Sequence, residues 1–228
     1  MKNIYLVGGI DTGIGKSVAT ALAARSLRAR GRDAITVKRV QTGNTGRSED
    51  IELHRRIMGE GDFPEDAEGL TAPQIFAFPS SPELAARLEG REVDVEKIVA
   101  AVNEVAARRE TVLVEAAGGL LVPLTRSLLT LDLAAREGWR VALVTCGRLG
   151  SLNHTLLSLE AIFSHGAGLA GVLYNYHPDA DGLIDRDTPE RTLEWLSRRG
   201  IDAPFVRIPR VDPDGPWPDI DVSAVFPL

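Results

Sequence analysis

Residues 8–17 read GGIDTGIGKS, and this stretch decides the fold because it nearly matches the general phosphate-binding loop G-x-x-x-x-G-K-[ST]. Counting back five residues from Gly15 reaches Ile10, so the nearest usable glycine is Gly9 and the loop is one residue longer. The apolar run IYLVGG before it predicts a buried strand, and KSVATALAARSLRARG after it predicts a helix. The stretch therefore predicts a strand, a glycine loop and a helix N-terminus in that order.

Such a loop has the groups that a polyphosphate needs. Backbone N–H groups surround the oxygens, the helix N-terminus adds positive potential, and Lys16 adds a full charge. The hydroxyl of Ser17 is suited to Mg²⁺. The alternative is a glycine-rich turn that binds nothing, which a Lys-Ser pair opening a helix after a buried strand disfavours.

The rest of the chain alternates apolar runs with helical patterns. The further predicted strands are DAITVKRV, TVLVEAAGG, RVALVTCG, LAGVLYN and APFVRIP, and the further helices are VDVEKIVAAVNEVAARRE, TLDLAAREG, SLNHTLLSLEAIFSHG and TPERTLEWLSRRG. This order predicts an α/β fold: a single P-loop domain over residues 1–228, with a mostly parallel central sheet and helices on both faces. Residues 43–69 are expected to be partly loop.

Composition limits the possible partners. The 228 residues carry a net charge of −6 without a Lys- and Arg-rich stripe, which argues against a nucleic-acid partner. Cys146 is the sole cysteine, so an intrachain disulfide is impossible and a reducing compartment is expected. No apolar run reaches the length of about 18 residues that predicts a membrane span, and the N-terminal run is too short for a signal peptide. We expect a cytoplasmic protein without a membrane partner.

Glu115, in VEAAGG, is a candidate Mg²⁺ ligand at the end of a predicted strand. A carboxylate is costly to bury unless it is paired or binds a metal, and Mg²⁺ prefers oxygen ligands. The alternative is an exposed glutamate at the strand end, which is less favoured beside a phosphate loop.

The segment VKRVQTG supplies a second group of polar residues at a strand end. The charge of Lys38 is suited to a transferring phosphoryl group, and Thr42 and the amide of Gly43 are suited to a small anion. Taken alone, the segment is also typical of a solvated lysine and a turn. Asp50 is either another Mg²⁺ ligand or the N-cap of a helix starting at Ile51, and its local sequence favours the cap.

Other reactive side chains show no pattern of a site. Metal-ligand spacing is absent among the histidines, which are His54, His154, His165 and His177. Cys146 lies at a strand end without a neighbouring motif and is predicted to pack in the core. No G-x-S-x-G turn is present, so hydrolysis by a serine triad has no support.

Five motifs, in the same order between residue 3 and about residue 175, resemble those of the dethiobiotin synthetases. They are GIDTGIGKS, VKRVQTG, FPSSPELAARLEG, VEAAGGLLVPL and RLGSLNHTLLS. The family patterns are G-x-D-T-x-x-G-K-[ST], K-P-V-x-[ST]-G, S-P-x-x-A, V-E-G-A-G-G and L-G-x-[IL]-N-H-[AT]-L-L. The resemblance implies an ATP- and Mg²⁺-dependent ligase of biotin biosynthesis. In this family CO2 and 7,8-diaminopelargonate form a carbamate, which takes the γ-phosphoryl group of ATP before the second amine closes the ring to dethiobiotin.

The resemblance also implies roles for individual residues. Lys38, Thr12 and Lys16 would act in catalysis, and Thr42 would place the substrate. Mg²⁺ would be held by Ser17, Asp50 and Glu115, with Glu49 as the alternative to Asp50. The nucleotide would be bound by residues at positions that match the family's ATP contacts: Gly13, Ile14, Gly15, Lys16, Ser17, Val18, Asp50, Glu115, Ala116, Ala117, Gly118, Asn175, Pro209, Arg210 and Val211. Within this set Asn175 would read the adenine edge.

The family acts as a homodimer with substrate lying across the interface. By the same resemblance, Gly150, Leu152 and Asn153 would bind the substrate carboxylate from the neighbouring subunit. A helix N-terminus suits such an anion.

This sequence departs from the family pattern at several positions. Arg39 stands in place of the usual proline and is expected to add a charge near the phosphates. Ala116 replaces the first glycine of V-E-G-A-G-G and is expected to narrow that turn, and Gly13 stands where glutamate is frequent. Tyr176 follows Asn175 where aspartate is common, which leaves the base preference open.

Three other functions of related folds remain as alternatives. An amidoligase would need a glutaminase domain, for which the chain has no spare length. A partitioning ATPase typically carries an extra lysine at the start of the loop, where this chain has Gly8 and Gly9. The third alternative is a nucleotide-binding module that lacks activity.

Overall fold

The structure is a computed structural model, and it describes residues 3–176, 181–212 and 215–227. The strands are β1 Asn3–Gly9, β2 Ala34–Lys38, β3 Gln41–Thr42, β4 Ile75–Phe76, β5 Thr111–Gly119, β6 Arg140–Cys146, β7 Leu169–Asn175 and β8 Phe205–Ile208. The helices are α1 Lys16–Ala29, α2 Glu49–Met58, α3 Pro64–Ala67, α4 Pro82–Leu88, α5 Val95–Arg108, α6 Thr130–Glu137, α7 Ser151–Ser164 and α8 Gly182–Arg198. Among the described residues, no helix is both long enough and apolar enough to cross a membrane.

Six strands form one sheet in the order β2-β5-β1-β6-β7-β8, and every neighbouring pair is parallel. The chain moves from β1 towards one edge and from β6 towards the other. Because crossovers between parallel strands are right-handed, α1 and α7 lie on opposite faces of the sheet. The predicted α/β fold with a parallel central sheet is confirmed. The order also brings the carboxyl ends of β1, β2 and β5 together, which is where ligands bind in such sheets.

The strands are apolar throughout because the sheet is covered on both faces. Residues from the three central strands, such as Leu6, Leu113 and Leu143, have no exposed surface. Cys146 is also fully buried at the end of β6, as its sequence predicts. A sheet this deeply enclosed gives the polar residues at its carboxyl edge a rigid support.

The segment expected to be partly loop contains a helix, α2, whose start differs from the prediction. Ser48 is the N-cap, and its hydroxyl accepts a hydrogen bond from the N–H of Ile51 at 3.2 Å. The prediction that Asp50 caps this helix is wrong, because the helix begins at Glu49 and Asp50 lies inside its first turn. Asp50 is therefore free to point towards other elements.

Helix α8 begins earlier than its sequence pattern suggests and contains a proline. Its N-cap is Asp181, whose side chain accepts a hydrogen bond from the N–H of Leu183 at 2.7 Å. Pro189 has no N–H to donate to the carbonyl of Asp185, four residues earlier. The hydroxyl of Tyr174 on β7 lies 3.0 Å from Oδ1 of Asp185 and 3.3 Å from that carbonyl. Tyr174 therefore joins β7 to the first turn of α8, mainly through the carboxylate of Asp185.

Candidate active site

A cavity of about 740 Å³ lies at the carboxyl ends of β1, β2 and β5. Most of the residues predicted for the site line it: Thr12, Gly13, Gly15, Lys16, Ser17, Val18, Lys38, Thr42, Asp50, Glu115, Ala117 and Gly118. Its wall also contains residues that were not assigned from the sequence, which are Gln41, Leu53, Pro79, Ser80, Ser81, Pro82 and Val122. The motif FPSSPELAARLEG was the available signal for residues 79–82.

The glycine loop after β1 is shaped by close approach as well as by backbone conformation. Gly15 has a φ of 81°, and a Cβ at this position would lie 1.9 Å from Nδ2 of Asn175. That same Nδ2 donates a hydrogen bond to the carbonyl of Ile14 at 2.9 Å. Asn175, at the end of β7, therefore fits directly against the loop, in the space that the absent side chain of Gly15 leaves.

Lys16 lies beneath the loop and is largely buried. Its ammonium group donates to the carbonyl of Asp11 at 3.0 Å. Burial lowers the pKa of Lys16 to about 8, although the carboxylate of Glu115 opposes this change. The lysine is held in the cavity wall, where a phosphate oxygen would relieve its poor solvation.

An ion cluster spans β2, β5 and α2 at one side of the cavity. Lys38 and Glu115 are register partners on adjacent strands, and Nζ of Lys38 lies 2.7 Å from Oε1 of Glu115. The same Nζ lies 2.7 Å from Oδ2 of Asp50 on α2. The hydroxyl of Ser17 lies 2.8 Å from Oδ1 of Asp50 and 2.8 Å from Oε1 of Glu115. The fold thus joins residues that are distant in the sequence.

Lys38 and Glu115 stay ionised in this cluster despite burial. Burial alone would raise the pKa of Glu115, but the charge of Lys38 and the hydrogen bond from His54 outweigh it and hold that pKa far below its usual range. Burial alone would lower the pKa of Lys38, and the carboxylates of Glu115 and Asp50 reverse this and raise it. The cavity wall therefore contains the buried carboxylate of Glu115 beside the buried ammonium group of Lys38, with the half-buried carboxylate of Asp50 next to them.

The oxygen atoms of this cluster fit a magnesium ion. Asp50, Glu115 and Ser17 offer two carboxylates and a hydroxyl, which are the hard oxygen donors that Mg²⁺ prefers. The ammonium of Lys38 already lies between both carboxylates, so their geometry accommodates a cation. The cluster supplies only two carboxylates, and within the described ranges no group of three or more His, Cys, Asp or Glu side chains is placed to hold a metal ion. An ion here would complete its shell with water and phosphate oxygens, as Mg²⁺ commonly does.

His54 belongs to this site, although no role was predicted for it from the amino-acid sequence. The ring is fully buried, and Nε2 lies 2.8 Å from Oε2 of Glu115. The available signal was its spacing from Asp50, because residues four apart share one face of a helix. Of the other histidines, His165 pairs with Asp132 and His177 lies outside the described residues.

Arg39 does not reach the cavity, contrary to the expectation that it adds charge near the phosphates. Its fully buried guanidinium donates from Nη2 to Oγ1 of Thr130 at 2.6 Å, at the start of α6. Lys38 is the last residue of β2 and lines the cavity, whereas Arg39 lies in the bend that follows the strand and is turned towards α6. Burial lowers the pKa of Arg39 to about 9.

Other predicted residues lie outside the main cavity. Ile14 and Ala116 are buried behind its wall. The segment of Pro209, Arg210 and Val211 follows β8, and Nη2 of Arg210 lies 3.3 Å from Oδ2 of Asp185. Gly150, Leu152 and Asn153 lie at the start of α7 and do not line the cavity of their own chain.

Comparison with known proteins finds close relatives of one kind. The AAA_26 family model, described as an AAA domain, matches residues 3–207. The ATP-dependent dethiobiotin synthetase BioD 2 of Pasteurella multocida (strain Pm70) is 40% identical over 198 residues, which cover 87% of this chain and 93% of that protein. The ATP-dependent dethiobiotin synthetase BioD of Chlorobaculum tepidum is 44% identical over 204 residues, which cover 89% of this chain and 85% of that protein.

Solved structures with the same fold are more distant in sequence. A ParA family ATPase from Chlorobium tepidum TLS superposes with a TM-score of 0.55 at 15% identity, covering 93% of this chain and 86% of that chain. The MinC:MinD cell division protein complex of Aquifex aeolicus gives a TM-score of 0.53 at 15% identity, covering 92% of this chain and 82% of that chain. At such low identity these structures establish the fold alone.

Proposed function

The chain belongs to the family of ATP-dependent dethiobiotin synthetases, and we propose that it joins CO2 to 7,8-diaminopelargonate with ATP and Mg²⁺, forming dethiobiotin, ADP and phosphate. The observation that carries this proposal is the cluster of Lys38, Asp50 and Glu115 beside the glycine loop in one cavity. A nucleotide site alone needs only the loop. The additional lysine and the polar wall provide for a second, anionic reactant.

The loop and Lys16 hold the phosphates in this proposal. N–H groups of residues 13–18 surround the phosphate oxygens, and the ammonium of Lys16 gains a negative partner in a poorly solvated position. Asn175 reads the adenine in this proposal, and its support is the position of the side chain against the glycine loop, where Nδ2 donates to the carbonyl of Ile14. Pro209, Arg210 and Val211 border the same base.

Asp50, Glu115 and Ser17 would hold Mg²⁺, which neutralises charge on the phosphate oxygens during transfer. Lys38 and Thr12 hold the carbamate next to the γ-phosphate. Lys38 is suited to this because its ammonium stabilises the negative charge of both groups as they react. The hydroxyl of Thr42 orients the diamine.

The chemical steps follow from these positions. One amine attacks the carbon of CO2 and loses a proton, giving a carbamate. A carbamate oxygen attacks the γ-phosphorus, ADP leaves, and a carbamic-phosphoric anhydride forms. The second amine then attacks the carbonyl carbon and loses a proton, phosphate leaves, and the cyclic urea closes.

The working unit in this proposal is a homodimer. Gly150, Leu152 and Asn153 of one subunit bind the substrate carboxylate in the cavity of the other. The start of α7 supports this, because its first turn contains no acidic residue and its N-cap is a glycine without a capping side chain. A cytoplasmic location is also part of the proposal, supported by the single cysteine.

The direct test supplies the purified protein with ATP, Mg²⁺, bicarbonate and 7,8-diaminopelargonate. Mass spectrometry is expected to detect dethiobiotin, and product should be absent when the diamine or ATP is omitted. Protein that binds ATP but forms no dethiobiotin would overturn the proposed activity.

A further inference from the structure

The two oxygens of the Glu115 carboxylate face different partners. Oε1 lies 2.7 Å from Nζ of Lys38 and 2.8 Å from the hydroxyl of Ser17. Oε2 lies 2.8 Å from Nε2 of His54. A carboxylate only accepts hydrogen bonds, so Nε2 of His54 carries the hydrogen in this pair. The histidine thus holds the oxygen that is turned away from Lys38 and Ser17.

His54 is itself fixed by neighbouring elements. Its Nδ1 lies 3.0 Å from Oγ1 of Thr36 on β2. The same hydroxyl accepts a hydrogen bond from Nη1 of Arg55 at 2.8 Å. Arg55 forms a bidentate pair with Asp66, with distances of 2.8 Å and 2.7 Å. A continuous chain of hydrogen bonds therefore runs from α3 through α2 and β2 to Glu115.

The orientation of a glutamate carboxylate needs such a partner. Its last torsion is broad and roughly two-fold, so packing alone does not select one rotation of the two oxygens. A ligand that rotates freely binds a metal less tightly than one that is held, and loss of such outer hydrogen bonds typically costs about 10- to 100-fold in metal affinity or activity. An apolar side chain at position 54 could fill the same space without holding the carboxylate.

We propose that His54 is a positioning residue, which fixes the rotation of the Glu115 carboxylate so that Oε1 is presented to the metal. Thr36 and Arg55 hold His54 in turn. This inference rests on the proposed function, because it takes Glu115 as a ligand of Mg²⁺.

The test compares three variants that differ in what they can donate. His54→Leu removes the donor, His54→Gln keeps an amide N–H at about the distance of Nε2, and His54→Asn reaches only as far as Nδ1. Binding of Mn²⁺ to each protein is measured by electron paramagnetic resonance in the presence of saturating ADP. We expect the Mn²⁺ dissociation constant to rise about tenfold in the Leu and Asn variants and much less in the Gln variant.

Activity gives a second measurement. In the Leu variant the Mg²⁺ concentration for half-maximal turnover should rise by a larger factor than kcat at saturating Mg²⁺ falls. The matched control is His165→Leu, which removes another histidine–carboxylate contact, 2.8 Å from Nδ1 to Asp132, distant from the cavity. Its Mn²⁺ affinity should be unchanged.

Equal Mn²⁺ affinity in the wild-type and Leu proteins would overturn the inference, as would an equal loss in the Gln and Asn variants. If the Leu variant fails to fold, the Mn²⁺ affinities of the Gln and Asn variants still test the inference. The proposed function fails separately: wild-type protein that binds Mn²⁺ and ADP but makes no dethiobiotin refutes the reaction and leaves the metal comparison valid.

Discussion

At the scale of single residues, Gly15 and Gly13 lie in the same loop but differ in the space available for a side chain. Both have a positive φ, 81° and 71°, so an alanine at either position has a backbone strain of about 1 kcal/mol. Only at Gly15 would the new Cβ collide with another residue, Asn175. At Gly13 nothing lies within 4 Å of a Cβ.

We therefore predict that Gly15→Ala is more harmful than Gly13→Ala. The first should displace Asn175, lower the melting temperature further and weaken ADP binding by about tenfold or more, because the loop loses its hydrogen bond to β7 as well as its favoured backbone. Thermal melts and ADP titration of both variants measure this. Equal decreases in melting temperature and ADP affinity in the two variants would show that the close contact between residue 15 and Asn175 does not contribute.

Residues in continuous motifs were predictable, and those joined by the tertiary fold were not. Lys16, Lys38 and Glu115 could be selected because each stands at a strand or helix end within a recognisable run. The contact of His54 with Glu115 joins residues 61 positions apart, and it depends on how α2 packs on β2. No local pattern of residues in the sequence predicts how these two elements pack together.

At the scale of elements, the start of α2 shows the same limit. Several polar residues in SED could cap a helix, and the choice is decided by where the first turn begins. The helix begins at Glu49, which brings the N–H of Ile51 to the hydroxyl of Ser48 and leaves Asp50 facing Lys38. The position at which the helix begins therefore decides whether Asp50 caps it or lines the cavity.

The pair of Arg55 and Asp66, which joins α2 to α3, is buried and should make stability depend on pH. Burial alone would raise the pKa of Asp66, but hydrogen bonds from Arg55, Thr71 and the N–H of Phe63 outweigh it and lower that pKa below its ordinary value of 3.8. A carboxyl with a lowered pKa stabilises the fold fully above its unfolded value. This contribution is lost as the pH falls below about 4.

We predict that Asp66→Asn lowers the free energy of unfolding by about 3 kcal/mol at pH 7, because it leaves a buried guanidinium without its charged partner. The difference from wild type should shrink as the pH falls below about 4. Urea unfolding at several pH values measures it. The control is Asp62→Asn, since Asp62 pairs with Arg47 on the surface and should change stability by less than about 1 kcal/mol. A loss at Asp66 that is independent of pH would contradict the assignment.

At the scale of the whole molecule, the fold does not choose the reaction. The parallel sheet superposes on a ParA family ATPase with a TM-score of 0.55, although only 15% of residues are identical. A likeness at this identity establishes the sheet alone, and the chemistry of this chain comes from the residues at its carboxyl edge, which include the cluster around Lys38. The sheet could be predicted because its strands are apolar runs of regular spacing. The start of α7 was assigned by resemblance, and the role proposed for it requires a second subunit.

That dependence leads to a prediction about mixed dimers. Lys16→Ala removes the phosphate-binding charge, and Asn153→Asp puts a negative charge where the substrate carboxylate would bind. Each homodimer should lose about 100-fold or more in turnover. Asn153 is exposed, and Lys16 is the first residue of α1 with its ammonium group in the cavity wall, so we expect both chains to fold.

If each site combines the loop of one subunit with α7 of the other, a dimer of one Lys16→Ala chain and one Asn153→Asp chain contains one intact site. Co-expressed chains with two different tags, purified on both, should therefore recover about half of the wild-type activity per dimer. The control pairs Lys16→Ala with Ser17→Ala, where both defects lie in the loop and neither site is intact, so this dimer should stay inactive. A mixed dimer of the first kind as inactive as its parents would mean that the residues of α7 serve the cavity of their own chain, or none.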